Sequence, residues 1–350
     1  MNCQSERFSV RLATSEDGQA MAQIYAAEGF GGGIAVQFLR GGNPLLSLES
    51  EGERVVVLLL VDNERDLAVG MGACVIRREW VGGAEKRIGY LTGLKLLPEY
   101  RRRVYCMPRV FATMRELTAP WVDIYYTTIL KGNPAAQAMF ERPHRGMPVY
   151  RFTGLYTVYG FRKRFCKPRL PTGIRLRQGK TPKLLDFLAR TLPNFDLTPV
   201  FFHECTTFYY LANSQGEVCA ACGIIDQHKE KQYVVSGYAG WYRLASQLPA
   251  WWLGYPRFPR AGVPARYLTA GLLRVQNNDC YLASLLLRLV AAQYSDCDFL
   301  LLGLHESSPF HKAFKRIPHI QYESKLYAVE WEGMERWVSE NSIGLETWLL

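Results

Sequence analysis

Runs of apolar residues, punctuated by polar turns, lay out most of the chain. Ser9 to Ala13 is extended in pattern, and Thr14-Ser15-Glu16-Asp17 has the polar, acidic character of a helix start. The helix it opens is expected to reach about Ala27. Arg54 to Val61 and Leu67 to Arg77 predict a hairpin around the acidic turn from Asp62 to Asp66. Arg87 to Leu97 predicts the next strand, stopped by Pro98, and Arg101 to Leu117 is mostly helical in pattern. Val122 to Leu130 predicts a strand, Asn133 to Phe140 a short helix, and Tyr150 to Tyr159 a closing strand. The predicted order is β-α-(α)-β-β-β-α-β-α-β.

The second half repeats this pattern. Tyr90-Leu91-Thr92 is echoed by Tyr267-Leu268-Thr269, each opening a buried strand, a polar connection and an apolar helix. Val10-Arg11-Leu12 has its echo in Ile174-Arg175-Leu176, and the acidic turn at Asp62 in Asn213-Ser214-Gln215-Gly216-Glu217. Asn133-Pro134 answers to Ser308-Pro309, and Leu155-Tyr156 to Leu326-Tyr327. Five echoes in one order imply duplication of a whole domain, since a solenoid would repeat every few tens of residues. Two domains follow, 1–165 and 166–350, each expected to fold around its own core. The segment 228–266 is longer than its counterpart 78–89 and carries Trp241, Trp251, Trp252, Tyr255 and Phe258. It suits a lid, a docking surface or a cover over a sheet face. Gly333 to Leu350 has the pattern of an amphipathic helix.

Length 350, 48% hydrophobic and 13% aromatic, supplies two packed cores and excludes disorder. The longest apolar run, Val55 to Val61, is too short to span a bilayer, and Met1 to Val10 has no apolar signal segment. A cytoplasmic protein is expected. Nine scattered cysteines favour reduced thiols, and Cys219-Ala-Ala-Cys222 lies in a predicted strand, where residues three apart face opposite ways. The six histidines lack metal-ligand spacing, so no metal site is expected.

Charge narrows the picture. Residues 1–170 hold 24 Lys and Arg against 16 Asp and Glu, a balance of +8, whereas the rest hold 18 against 16. The excess clusters at Arg101-Arg102-Arg103, at Arg142 and Arg145, and from Arg162 to Arg169. Such clusters suit a phosphorylated ligand or nucleic acid, or form a solvated surface. No interleaving of aromatic and basic residues specific to RNA is evident, and nucleic acid is not the expected partner.

The element order, with a strand ending Leu96-Leu97-Pro98-Glu99-Tyr100-Arg101, resembles the GNAT (Gcn5-related N-acetyltransferase) superfamily in tandem, twice over nearly the whole chain. The fold class implied is α/β (an α+β mixed sheet): two tandem GNAT-like acyl-CoA N-acyltransferase domains. In that family a V-x-P-x-x-R-x-x-G-x-G/A turn leads into a helix and holds the pyrophosphate of acyl-coenzyme A on backbone N–H groups. Here the turn runs Leu96-x-Pro98-x-x-Arg101-x-x-Val104-x-Cys106, with both glycine positions filled. The resemblance implies acetyl-CoA or another acyl-CoA as co-substrate, bound by Leu96, Leu97, Arg101, Arg102, Arg103, Val104, Tyr105 and Cys106, with Asn133 from the family's second motif. Val104 departs most, because a β-branched residue resists positive φ and crowds a phosphate. The second copy, Leu273 to Cys280, has no glycine or proline and places Asp279 where the anion would sit. It is expected to be structural or to wall the acceptor site.

For the chemistry, the resemblance implies direct transfer to an amine of a small molecule or peptide. Phe140 stands where the family's tyrosine donates a proton to the departing thiolate, leaving His144 or Tyr150 as replacements. Glu85, at the family's spacing before Arg101, and Glu28 are the candidate bases. Backbone N–H groups near Leu94 to Leu97 would polarise the thioester carbonyl, and Gly29 to Gly33 would form an acceptor loop. The alternative is a catalytically inactive tandem protein that binds a ligand or partner. A further one is a tandem GNAT-like aminoacyl-tRNA-dependent transferase.

Overall fold

Strand-forming residues crowd the segments between turns, and each side of every long strand finds its own apolar layer. The structure, a computed structural model, describes residues 7–27, 29, 33–101, 106–163, 168–204, 206–249, 252 and 254–350. The first half runs β1 (Phe8–Leu12), α1 (Gly18–Ala26), β2 (Ile34–Arg40), α2 (Pro44–Glu49), β3 (Arg54–Asp62), β4 (Leu67–Val81) and β5 (Ala84–Leu96). It continues with α3 (Met107–Thr118), β6 (Ile124–Leu130), α4 (Pro134–Phe140) and β7 (Val149–Phe161). The second half runs β8 (Arg175–Gln178), α5 (Pro182–Thr191), β9 (Phe195–Asp196), β10 (Thr198–Pro199), β11 (Thr207–Ala212), β12 (Val218–Ile225) and β13 (Lys231–Tyr238). Then come α6 (Trp241–Ala245), β14 (Tyr267–Val275), α7 (Cys280–Ala291), β15 (Phe299–His305), β16 (His319–Glu330) and β17 (Ser342–Ile343).

On β3, Val57, Leu59 and Val61 join Met21, Ile24 and Tyr25 of α1 in one cluster. The alternate residues Val56 and Leu58 join Val110, Phe111 and Met114 of α3 in another. Strand alternation thus fixes which helix lies on which face. In the second half α5 and α7 cover the sheet in the same way.

One mixed sheet carries both halves, in the order β1-β3-β4-β5-β6-β16-β7-β15-β14-β12-β11-β8, with β10 on β4. Neither closing strand pairs with the parallel strand of its own half. Instead β16 pairs with β6, β7 pairs with β15, and the two pair with each other over twelve residues from His319↔Phe161 to Glu330↔Val149. The expectation of a separate core for each copy is therefore not met. One cluster holds Met21, Val57 and Tyr90 together with Tyr267, Leu301, Leu326 and Leu345.

The two parallel strand pairs share one register pattern. β5 and β6 are parallel only across Ile88–Tyr90 and Ile124–Tyr126, and β14 and β15 only across Tyr267–Thr269 and Phe299–Leu301. Three residues past the last pair, each ladder slips. Gly93 and Leu94 oppose Gly72 alone, and Leu272 and Leu273 oppose Cys222 alone. By this register Tyr90 matches Thr269, so the Tyr-Leu-Thr echo is two residues out of step, which keeps every side chain on its face.

Elements in both halves differ from expectation. β2 was not foreseen; it pairs with β13 from Lys231↔Arg40 to Tyr238↔Ile34, so the insertion joins the halves as a ribbon. Beyond it Trp241, Leu244 and Trp252 are exposed, while Trp251 lies outside the described residues. Residues 333–350 form no α-helix: β17 pairs with β9, and a 3-10 turn spans Thr347–Leu349. Trp337, Ile343 and Leu345 enter the shared core and Trp348 packs with Leu349 and Ile225, so tertiary pockets rather than one helical face take these side chains. Cys219 and Cys222 are both buried in β12, and burial pushes the Cys222 thiol up to about 12.

Candidate active site

Past Tyr90 the edge of β5 that faces β6 has no strand partner among the described residues, while β6 turns its other edge to β16. A gap opens in the sheet, lined by main-chain polar groups. Side chains cross its mouth: the Thr127 hydroxyl donates to the Leu91 carbonyl at 2.7 Å, and the hydroxyls of Tyr90 and Thr128 lie 3.1 Å apart. Gly93, in the bulge, has φ +63°, and a Cβ there would stand 2.8 Å from the Tyr25 hydroxyl. Glycine satisfies both constraints.

On one face, β5 leads through a 3-10 turn, Pro98–Tyr100, towards α3. The N-cap residue Cys106 makes no side-chain capping hydrogen bond, and the first turn of α3 carries no acidic residue. Its positive end is thus not neutralised by a carboxylate of its own. The matching helix of the second half is closed. Asp279 accepts from the backbone N–H of Tyr281 at 2.7 Å and of Leu282 at 3.2 Å, taking the donors an incoming anion would need.

On the opposite face a chain of buried polar groups begins at Tyr25. The Lys95 ammonium lies 5.5 Å and the Arg40 guanidinium 5.8 Å from the centre of the Tyr25 ring. Arg40 donates to Ser47 Oγ at 3.0 Å and to Glu51 Oε1 at 2.5 Å. Lys231 Nζ lies 3.1 Å from the same carboxylate oxygen and donates to the carbonyls of Trp348 at 2.9 Å and Leu350 at 2.7 Å. Burial drives Lys231 down to about 8, against the pull of Glu51. Burial works against the Glu51 carboxylate, but Lys231 and Arg40 together hold its pKa below the usual value. Burial raises the pKa of Tyr25, so its hydroxyl keeps its proton at neutral pH. A second buried ion pair, Arg77 to Glu79 at 2.6 Å, sits beside Tyr90 and Tyr126.

The residues singled out in the sequence fall in several places. Leu96 and Leu97 line the route from bulge to α3, packed with Phe8, Val69 and Tyr100. Arg101 follows the 3-10 turn and Cys106 is the N-cap of α3, while Arg102, Arg103, Val104 and Tyr105 lie outside the described residues, as do Glu28 and residues 30–32. Asn133 caps α4, its side chain accepting from Ala136 N at 3.1 Å. Glu85 is exposed at the far end of β5, facing Arg78 at 3.3 Å. Nine residue steps of strand separate it from Leu94, about 30 Å. His144 is exposed in the turn after α4. Phe140 belongs to the core, stacked on Tyr150 at 4.5 Å, and burial raises the Tyr150 pKa. Neither Glu85 nor His144 is brought to the gap. The groups that do gather behind it, Tyr25, Arg40, Glu51 and Lys231, carry no local sequence signal, because the ribbon of β2 and β13 assembles them. Among the described residues no three of His, Cys, Asp or Glu gather as metal ligands, and no helix is long and apolar enough to cross a membrane.

No family model matches the chain, and no curated protein matches it either. Solved structures do. Saccharomyces cerevisiae N-myristoyltransferase with bound myristoyl-CoA superposes with a TM-score of 0.60 at 7% identity, over 97% of this chain and 89% of that one. A GCN5-related N-acetyltransferase from Sphaerobacter thermophilus gives 0.54 at 12%, over 95% and 98% of the two chains. An acetyltransferase of Pyrococcus horikoshii, itself described as putative, gives 0.52 at 13%, over 98% and 96%. At such identities the likeness establishes the fold alone: the chain has the mixed α/β fold, with one large central sheet, of the GCN5-related N-acetyltransferases.

Proposed function

We propose that the chain is an acyl-CoA-dependent N-acyltransferase built of two GNAT-like halves, 1–165 and 166–350, with its site in the first. The observation that carries this reading is the contrast between the two helix starts. α3 presents a positive end with no acidic residue in its first turn, next to Arg101, whereas Asp279 closes α7. The second half then serves as structure and as a wall of the acceptor site. The gap links the face of α3 to the face of Tyr25, so a pantetheine arm anchored at α3 would carry its thioester to the Gly93 bulge. Main-chain N–H groups there polarise the carbonyl. The acceptor nitrogen attacks the carbonyl carbon, the C–S bond breaks, and Tyr25 protonates the leaving thiolate. The proton lost by the amine restores Tyr25, whose phenolate Arg40 and Lys95 stabilise meanwhile. The acceptor is an amine on a small molecule or peptide. The bound myristoyl-CoA of the yeast neighbour makes long acyl chains worth testing beside acetyl.

Titration calorimetry with acetyl-CoA and with myristoyl-CoA tests the cofactor. One-to-one binding of either, lost in an Arg101→Ala, Arg102→Ala double variant, is expected; no binding of either at millimolar ligand rejects the reading. Tyr25→Phe should keep that affinity and slow transfer by about 10²-fold or more. A second reading, a non-catalytic ligand-binding protein, is favoured by Phe140, whose place in the core leaves no hydroxyl at that position. It predicts binding with no turnover for any amine.

A further inference from the structure

The basic run that ends at Arg169 is not used by the site above, and the fold gives its last member a purpose. Arg169 and Pro168 meet one side of α7 and Arg316 in a cleft of about 180 Å³. From α7 come Tyr281, Ser284, Leu285 and Arg288, which recur at three- and four-residue spacing and so share one face. Three guanidiniums line this cleft and no carboxylate does. None of the three forms an ion pair with another described residue; Arg316 rests instead over the Tyr281 ring at 5.7 Å. Ser284 is 2% exposed, and its Oγ, which could return to the helix backbone, has no hydrogen-bond partner. The Arg288 Nε is buried without one as well.

Arg169 and Arg316 are solvated, but the buried Ser284 Oγ and Arg288 Nε are left for an incoming group to complete. Like charges around one cleft repel, and a buried hydroxyl left without a partner is destabilising. An oxyanion answers both, because guanidinium forks match its oxygens and a serine hydroxyl donates to one of them. The cleft, of about 180 Å³, has room for one tetrahedral group. We infer that the cleft between α7, the interdomain segment at Arg169 and Arg316 binds a phosphate group, as inorganic phosphate or at the end of a small phosphomonoester. The site is independent of the acyl-CoA reading, since it lies on the half whose helix start Asp279 closes.

Titration calorimetry at constant ionic strength tests it, with inorganic phosphate, glycerol 2-phosphate and a single-stranded oligonucleotide as separate probes. Saturable one-to-one phosphate binding is expected, weakened about tenfold or more by Ser284→Ala and by Arg288→Gln. Arg316→Gln, at an exposed position, provides the same readout should Arg288→Gln fail to fold. The Arg101→Ala, Arg102→Ala variant should bind phosphate as the unaltered chain does. Comparable affinity for glycerol 2-phosphate assigns the site to a phosphomonoester, and binding of inorganic phosphate alone assigns it to the free ion. Binding that does not saturate, that survives both Ser284→Ala and Arg316→Gln, or that is lost only with Arg101 and Arg102 overturns the inference. So does an oligonucleotide that outcompetes both small probes.

Discussion

Adding one methyl group at the bulge, Gly93→Ala, probes the geometry on which the candidate site rests. Two separable terms oppose it. The backbone at φ +63° is left-handed, and a side chain there costs about 1–2 kcal/mol. The new Cβ would also stand 2.8 Å from the hydroxyl of Tyr25, a residue 2% exposed and held by its packing, which adds about 1–3 kcal/mol of overpacking. The second half helps to separate them: Leu272, at the matching bulge position, has φ +52°, so the fold tolerates the backbone term. Only the contact with Tyr25 is particular to the first half. Tyr25→Phe removes the oxygen, and the double variant should therefore recover the contact term while keeping the backbone term. The assay is urea unfolding of all four proteins in a double-mutant cycle. A coupling of about 1–2 kcal/mol, with Gly93→Ala less damaging in the Tyr25→Phe background, is expected. Additive effects within about 0.5 kcal/mol, or a harmless Gly93→Ala, would refute the placement of Tyr25 against the bulge.

Glu346 lies against Gly271 and accepts from the Leu272 backbone, and burial raises its carboxyl to about 7, with Arg274 opposing. The folded state therefore holds a proton that the unfolded state releases, and stability from this group, full below about 4.5, is lost as pH rises through about 7. Glu346→Gln should flatten the pH dependence of the unfolding free energy across that window and raise stability at pH 8 by up to about 3 kcal/mol; an unchanged slope counts against it. In the buried trio, Glu51→Gln leaves Arg40 and Lys231 as two uncompensated cations and should cost about 3–5 kcal/mol. Arg40→Met leaves the Lys231–Glu51 pair intact and should cost less, so the reverse ranking in denaturant melts would show that the trio is misjudged.

Most strands and helices and their order along the chain are legible in the residues alone, because apolar alternation and turn residues are local signals. Asp279, read from the residues as standing where an anion would sit, caps α7. Tertiary structure decided the rest. The exchange of β7 and β16 depends on pairing between residues some 170 positions apart, which no local pattern encodes. The two-residue slip in the echo became visible only through the register of the bulges, as a shift of two preserves every apolar face. Glu85 met the family's spacing but lies at the wrong end of its strand, whereas Tyr25, Glu51 and Lys231 met no spacing and converge through the ribbon of β2 and β13. Residues 333–350 carry a helical pattern, yet their aromatic and aliphatic side chains fill separate pockets left by both halves, and burial in those pockets outweighs the propensity to coil into a helix.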